Sequence, residues 1–258
     1  MAQDLDGEFK RGMVVVAHAD DAEFGCSGTV AKWCSEGWEV VYVLCTDGSK
    51  GSSNREISQR ELSNVRRREQ TEAGKVLGLK EAVFLDHEDS MLEPTLDLRR
   101  DIAREIRRHR PDVLICPYPL RNLDGGWGVG HPDHMAAGEA ALSAVFPTAR
   151  DHMTFPELLE DGLEPHKVVE VWLMGHPEPD LWIDVTDHME TSIKALVQHV
   201  SQIDGRSEEE TGKFMRQWRR SRAEGKGMQY AESFRRIVLD RRQPPPSSTD
   251  EEDEQGED

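Results

Sequence analysis

Two short stretches concentrate the side chains that could do chemistry. The first, "HADDAE", places His18, Asp20, Asp21 and Glu23 within one turn of chain, and the second, "GHPDH", places His131 and His134 three residues apart. Nitrogen and oxygen ligands without a thiolate suit a catalytic zinc that keeps an open position for water, and imidazole with carboxylate also accommodates iron, manganese or nickel. Three protein ligands would leave two groups for acid and base work. Adjacent Asp20 and Asp21 cannot easily point to one place, so one is expected on the metal and the other beside its water. Spacing alone does not say which. Glu23 falls in a first helical turn, where the dipole and free amides favour a carboxylate, and is assigned a structural role.

Each stretch must hang from the end of a strand. The run Met13 to Ala17 is apolar on both faces, as in a parallel strand covered on both sides. The acids that follow then lie at its carboxyl end, where open α/β sheets bind ligands. The strand in "DVLICPYP" leads through a glycine-rich loop to the second stretch, where Pro132 as the first helical residue would place His131 and His134 near one face. Two such strands side by side would bring His18, Asp20, Asp21, His131 and His134 into one crevice.

The wider pattern supports that placement. Strands are expected at Met13–His18, Glu39–Thr46, Ala82–Leu85, Val113–Pro117, Val168–Met174 and Leu181–Val185. Helices are expected at Phe24–Glu36, Ile57–Leu77, Leu96–His109, Asp133–Val145, Asp187–Gln202 and Glu208–Ala223, with a short amphipathic one at Ala231–Leu239. Gly37 and Gly78 follow the first two as C-caps, and Pro111 follows the third. This alternation predicts an α/β fold: a Rossmann-like, doubly wound, mostly parallel sheet with helices on both faces. One domain is expected over residues 1–242. Residues 243–258, three prolines and then an acidic run, read as a disordered tail or an arm on a partner subunit.

Composition narrows the partners. The formal net charge of -18 argues against a nucleic-acid backbone. No apolar run is long enough to span a bilayer, and "MAQDLDGEFKRG" has no apolar signal core, so a cytoplasmic protein is expected. Cys26, Cys34, Cys45 and Cys116 form no CxxC pair and read as reduced thiols. A nucleotide-binding module is the distant alternative, but "EFGCSGT" lacks GxGxxG and the acidic strand end would repel a pyrophosphate.

"AHADDAEFGCSGT" with "GHPDH", and "TDGSKG" and "LGL" between them, resembles the zinc-dependent N-deacetylases of the PIG-L (LmbE-like) family, from about Met13 to at least Phe234. The resemblance implies His18, Asp21 and His134 as ligands of Zn2+, Asp20 as general base and a protonated His131 as oxyanion partner. It implies Arg66 and Asp89 as contacts to sugar hydroxyls. Ala19 stands where the family's first motif usually has proline, which loosens the turn, and Val129 stands where some members carry a tyrosine. The implied reaction is hydrolysis of the N-acetyl group of an N-acetylglucosamine-type sugar or conjugate, with cleavage of another amide, such as that of a thiol-sugar conjugate, as the alternative. A homo-oligomer is implied, with a hexamer of two trimers as the expected form.

Overall fold

The computed structural model describes residues 9–123, 129–203 and 205–239. The acidic tail and most of the glycine-rich loop before His131 therefore lie outside the described residues. Seven strands form one sheet: β1 (Arg11–Val16), β2 (Glu39–Thr46), β3 (Glu81–His87), β4 (Val113–Pro117), β5 (Glu170–Met174), β6 (Leu181–Asp184) and β7 (Ala231–Val238). Their order is β3-β2-β1-β4-β5-β7-β6. The first five in that order run parallel, and β7 is antiparallel to both of its neighbours.

The helices are α1 (Asp21–Gly25), α2 (Ser27–Ser35), α3 (Gln59–Leu77), α4 (Leu96–His109), α5 (Pro132–Val145), α6 (Glu157–Glu160), α7 (Met189–Leu196) and α8 (Glu208–Ala223). One face of the sheet packs Val15, Val43 and Leu114 against Ile102, Ile106 and Ala140 of α4 and α5. The other packs Val14, Tyr42, Ile115 and Trp172 with Val30, Trp33 and Leu77 of α2 and α3. β1 is thus buried on both faces, which is why its sequence is an unbroken apolar run.

The chain winds from β1 to β3 in one direction and then returns to lay β4 on the other side of β1, with Val14 opposite Ile115. This reversal is the switch point at which strand ends in α/β sheets diverge and leave a crevice. Both ligand-rich stretches follow the two strands that meet there.

Local chemistry sets most helix ends. Ser58 and Glu61 form a reciprocal capping box ahead of α3, and Gly78 closes it in the left-handed region at φ 83. Pro132 opens α5 after His131, as the sequence predicts.

Three expectations are corrected. The first predicted helix is two, α1 and α2, broken at Cys26. The stretch Asp187–Gln202 is helical in α7 only over its middle, with a 3-10 turn before it. Ala231–Leu239 is not a helix: residues Ala231–Val238 are strand β7 between β5 and β6. Charged residues hide its alternation. Glu232 and Phe234 are both buried and Arg236 binds Glu170, so one face of the strand mixes ions with an aromatic ring.

Gly138 lets α5 approach the end of β4: a Cβ there would lie 2.3 Å from the Pro117 carbonyl oxygen. Because that obstacle is backbone, Gly138→Ala is expected to cost about 1–3 kcal/mol of stability, as overpacked cores do. A denaturant midpoint equal to wild type would reject this account of the helix position.

Candidate active site

Asp20 precedes α1 in the left-handed region, with φ 88. That turn separates the two aspartates. The Asp21 carboxylate turns inward: Oδ2 accepts from the His18 backbone N–H at 2.8 Å, and Oδ1 lies 3.0 Å from His134 Nε2. The Asp20 carboxylate instead faces Arg66, with Oδ1 3.6 Å from Nη2. The first turn of α5 brings His134 to the same point, so that its Nε2 is 3.3 Å from His18 Nδ1.

His18 has two different edges. Its Nδ1 faces His134 and Asp21, the latter at 3.5 Å. Its Nε2 lies 3.1 Å from Asp133 Oδ2 and 3.3 Å from Asp89 Oδ1. Those two carboxylates are already committed. Asp133 accepts from the Ser90 N–H at 2.7 Å, and Asp89 accepts from the Lys50 N–H at 3.0 Å. Carboxylates held in this way orient a ligating imidazole through its remaining N–H. In a neutral His18 whose Nε2–H donates to these acids, the Nδ1 lone pair would be turned toward Asp21 and His134.

Ligand atoms within 4.8 Å of one another also occur in the sets His18, His131, His134 and His18, Asp89, Asp133. The second set lies on the Nε2 edge of His18, whereas His18, Asp21 and His134 meet on its Nδ1 edge.

The electrostatics follow this layout. Burial opposes a charge on His18, yet hydrogen bonds to Asp133 and Asp21 push it up to about 12. Asp21 is held well below the usual carboxylate range, against burial, by His134 and His18. Asp20 goes the other way: burial and the neighbouring Asp21 charge lift it to about 7, with Arg66 and His199 opposing. The carboxylates of Asp21, Asp89 and Asp133 thus gather around one imidazole.

His131 caps α5, and its Nδ1 accepts from the Asp133 N–H at 3.2 Å. The ring proton must then sit on Nε2. Burial and the positive charges of His18 and His134 lower its pKa.

Arg66 and Asp89 are both buried, at 5% and 3% exposure. Arg66 Nη2 donates to the Ala19 carbonyl at 2.7 Å, and Nη1 lies 3.7 Å from Asp89 Oδ2. Three residues that sequence reading passed over complete the surroundings. Asp133, inside the second motif, orients His18. Gln70, one turn after Arg66, accepts from the Asp20 N–H at 3.4 Å and donates to Glu23 Oε1 at 2.9 Å. His199, in the stretch "HVSQ", has Nε2 3.2 Å from Glu23 Oε2. Glu23 therefore faces inward to Gln70 and His199. Only helical periodicity from Arg66 signalled Gln70.

A cleft of about 1010 Å³ opens over Asp21, His131 and His134. Its far walls include Tyr118, Val129, His176 and Arg222.

The family model described as GlcNAc-PI de-N-acetylase (PIG-L) matches residues 13–145. The chain belongs to the PIG-L family. It is similar to a diacetylchitobiose deacetylase of Thermococcus kodakarensis, 33% identical over 195 residues, covering 76% of this chain and 71% of the relative. A mycothiol S-conjugate amidase of Streptomyces coelicolor is 28% identical, over 75% of this chain and 83% of its own. Among solved structures, the N,N'-diacetylchitobiose deacetylase of Pyrococcus horikoshii superposes with a TM-score of 0.81 at 30% identity, covering 90% of this chain and 85% of that one. Deacetylases of the PIG-L family are metal-dependent hydrolases of amide bonds, and the His and Asp cluster of this PIG-L chain is a possible metal site. Among the described residues, no helix is long and apolar enough to cross a membrane.

Proposed function

We propose that this PIG-L protein hydrolyses the N-acetyl group of an N-acetylglucosamine-type amino sugar or its conjugate, with His18, Asp21 and His134 holding the metal. The observation that carries the reading is the convergence of His18 Nδ1 and His134 Nε2, 3.3 Å apart, on the Asp21 carboxylate, whose Oδ1 lies 3.0 Å from His134 and whose Oδ2 lies 3.5 Å from His18. Ligands on a tetrahedral zinc with bonds of about 2.0–2.1 Å lie about 3.3 Å apart, so this donor set fits the metal. Zinc in that place would supply Lewis acidity toward the amide carbonyl and lower the pKa of a water from about 15.7 to about 7.

The chain's own groups do the rest. Asp20, whose pKa of about 7 suits proton transfer near neutrality, takes the proton of the attacking water and returns it to the departing amine. His131 donates from Nε2–H to the oxygen that gains negative charge, and such a donor is worth about 3 kcal/mol. Arg66 and Asp89, which border Asp20 and His18, are the proposed contacts to the sugar hydroxyls. The size of the cleft favours a conjugate over a lone sugar, which keeps the amidase of a thiol-sugar conjugate as the second reading.

The roles separate by mutation. Alanine at His18, Asp21 or His134 should remove metal and activity together. Asp20→Asn and His131→Ala should keep near-stoichiometric metal by elemental analysis while kcat falls by about 10²-fold or more. Metal lost from Asp20→Asn and kept by Asp21→Asn would reverse the assignment.

The pH profile tests Asp20. A base whose pKa is raised to about 7 is lost as pH falls, so kcat/KM should drop about tenfold per pH unit below that value and level off above it. A flat profile between pH 5 and 8, roughly the range in which only perturbed carboxylates and histidines titrate, would remove Asp20 from the role.

Family likeness further supports a cytoplasmic homo-oligomer, a hexamer of two trimers. A monomer mass by light scattering at moderate salt would refute it.

A further inference from the structure

We infer that Arg66 and Gln70 clamp the Ala19–Asp20 peptide and that the buried Glu23–His199 pair keeps the clamp in register, making these four residues the positioning apparatus for the Asp20 carboxylate. The two atoms they hold belong to one peptide group. Its carbonyl oxygen, on Ala19, accepts from Arg66 Nη2 at 2.7 Å, and its N–H, on Asp20, donates to Gln70 Oε1 at 3.4 Å. Arg66 and Gln70 stand four residues apart on α3 and so present both grips from one helix face. The peptide plane cannot rotate without losing one of them.

That restraint has something to oppose. A non-glycine residue at φ 88 occupies a disfavoured region and stays there only when its surroundings over-determine it. Asp20 depends on the turn, because the left-handed backbone is what turns its carboxylate away from Asp21. Position 19 adds no stiffness of its own, since alanine has no ring to fix φ.

The pair behind the clamp decides which way round Gln70 sits. A carboxamide can present either its oxygen or its nitrogen, whereas a carboxylate only accepts. Glu23 Oε1 takes the Gln70 Nε2–H at 2.9 Å, and this leaves the Gln70 oxygen facing the Asp20 N–H. Glu23 Oε2 in turn lies 3.2 Å from His199 Nε2. Glu23, Gln70 and His199 are all 0% exposed. Burying such groups brings little net stability, and a requirement for one fixed geometry accounts for their presence better.

The catalytic consequence rests on Asp20 being the base; the clamp itself does not. The test compares wild type, Gln70→Met, and the reciprocal double variant Glu23→Gln plus Gln70→Glu, all metal-loaded. Methionine keeps the length of the side chain and removes both polar contacts. The reciprocal variant conserves charge and restores an acceptor for the Asp20 N–H and a donor between positions 23 and 70. Two readouts are taken: kcat and KM on an N-acetylglucosamine glycoside with metal content, and deuterium uptake of the Asp20 amide. In Gln70→Met, kcat should fall about 10- to 100-fold with KM and metal within about threefold of wild type, as a misplaced group costs on the order of 10²-fold. The Asp20 amide should exchange at least about tenfold faster. The reciprocal variant should recover both readouts to within about threefold, and it decides the matter alone if Gln70→Met does not fold. A Gln70→Met chain with wild-type kcat overturns the proposal whatever its melting midpoint, and so does a reciprocal variant that folds, binds metal and recovers neither readout. If wild type hydrolyses no N-acetyl sugar, the deacetylase reading fails and amide exchange decides the clamp, with unchanged exchange in Gln70→Met refuting it.

Discussion

The parallel pairing of β1 with β4 is the contact on which the site depends. It joins strands separated in sequence by two βα units and sets Val14 opposite Ile115. Each strand delivers one ligand-rich stretch at its carboxyl end. The two stretches can share a point in space only because the winding reverses between these strands and leaves the crevice open. The remaining architecture keeps that pairing rigid. Both faces of β1 are covered, and Gly138 lets α5 close on the end of β4 within backbone contact of Pro117.

The site concentrates charge in layers around one imidazole. Asp21 and His134 occupy the Nδ1 side of His18, and Asp89 and Asp133 occupy the Nε2 side. Each outer carboxylate is itself held by a backbone amide, from Lys50 or Ser90, so the loops after β2 and β3 reach into the same pocket. The opposed pKa directions of Asp20 and Asp21 follow from this arrangement. Asp21 lies against two imidazoles, whereas Asp20 is desolvated beside Asp21, and the Arg66 guanidinium and His199 offset this only in part. Neighbouring carboxylates pushed apart in this way are suited to different tasks.

The antiparallel edge of the sheet performs a related service. Glu232 of β7 accepts from the Gly28 and Thr29 amides at 2.9 and 2.8 Å and so caps α2 from a different element. It also binds Arg219 of α8 at 2.8 Å. A Cβ at position 28 would sit 2.8 Å from Val185 Cβ and 3.0 Å from that carboxylate, so glycine is what fits there. This buried ion ties together α2, α8 and β7. Arg219 and Ser233, on two of those elements, line the cleft.

The ligand types, six of the seven strands and the two ligand-rich stretches were legible in the sequence because each is a local signal. Apolar runs mark buried strands, Pro132 and Gly78 mark helix ends, and ligand residues cluster within a few positions. What local signals could not carry was any role that depends on a distant partner. The Glu232 side chain obscured a strand because the amides it caps are about 200 residues away in sequence and its guanidinium partner lies on another element, α8. Gln70, Glu23 and His199 gain meaning only where α3, α1 and the turn after α7 meet. The lowering of the His131 pKa likewise comes from burial and from tertiary neighbours, the imidazoles of His18 and His134, and its Nδ1 meets the amide of Asp133. Sequence determined which groups are present and which strand ends carry them. The tertiary structure decided how each is oriented and charged, because electrostatic energies depend on separations of a few ångströms and on burial, and neither is encoded in spacing along the chain.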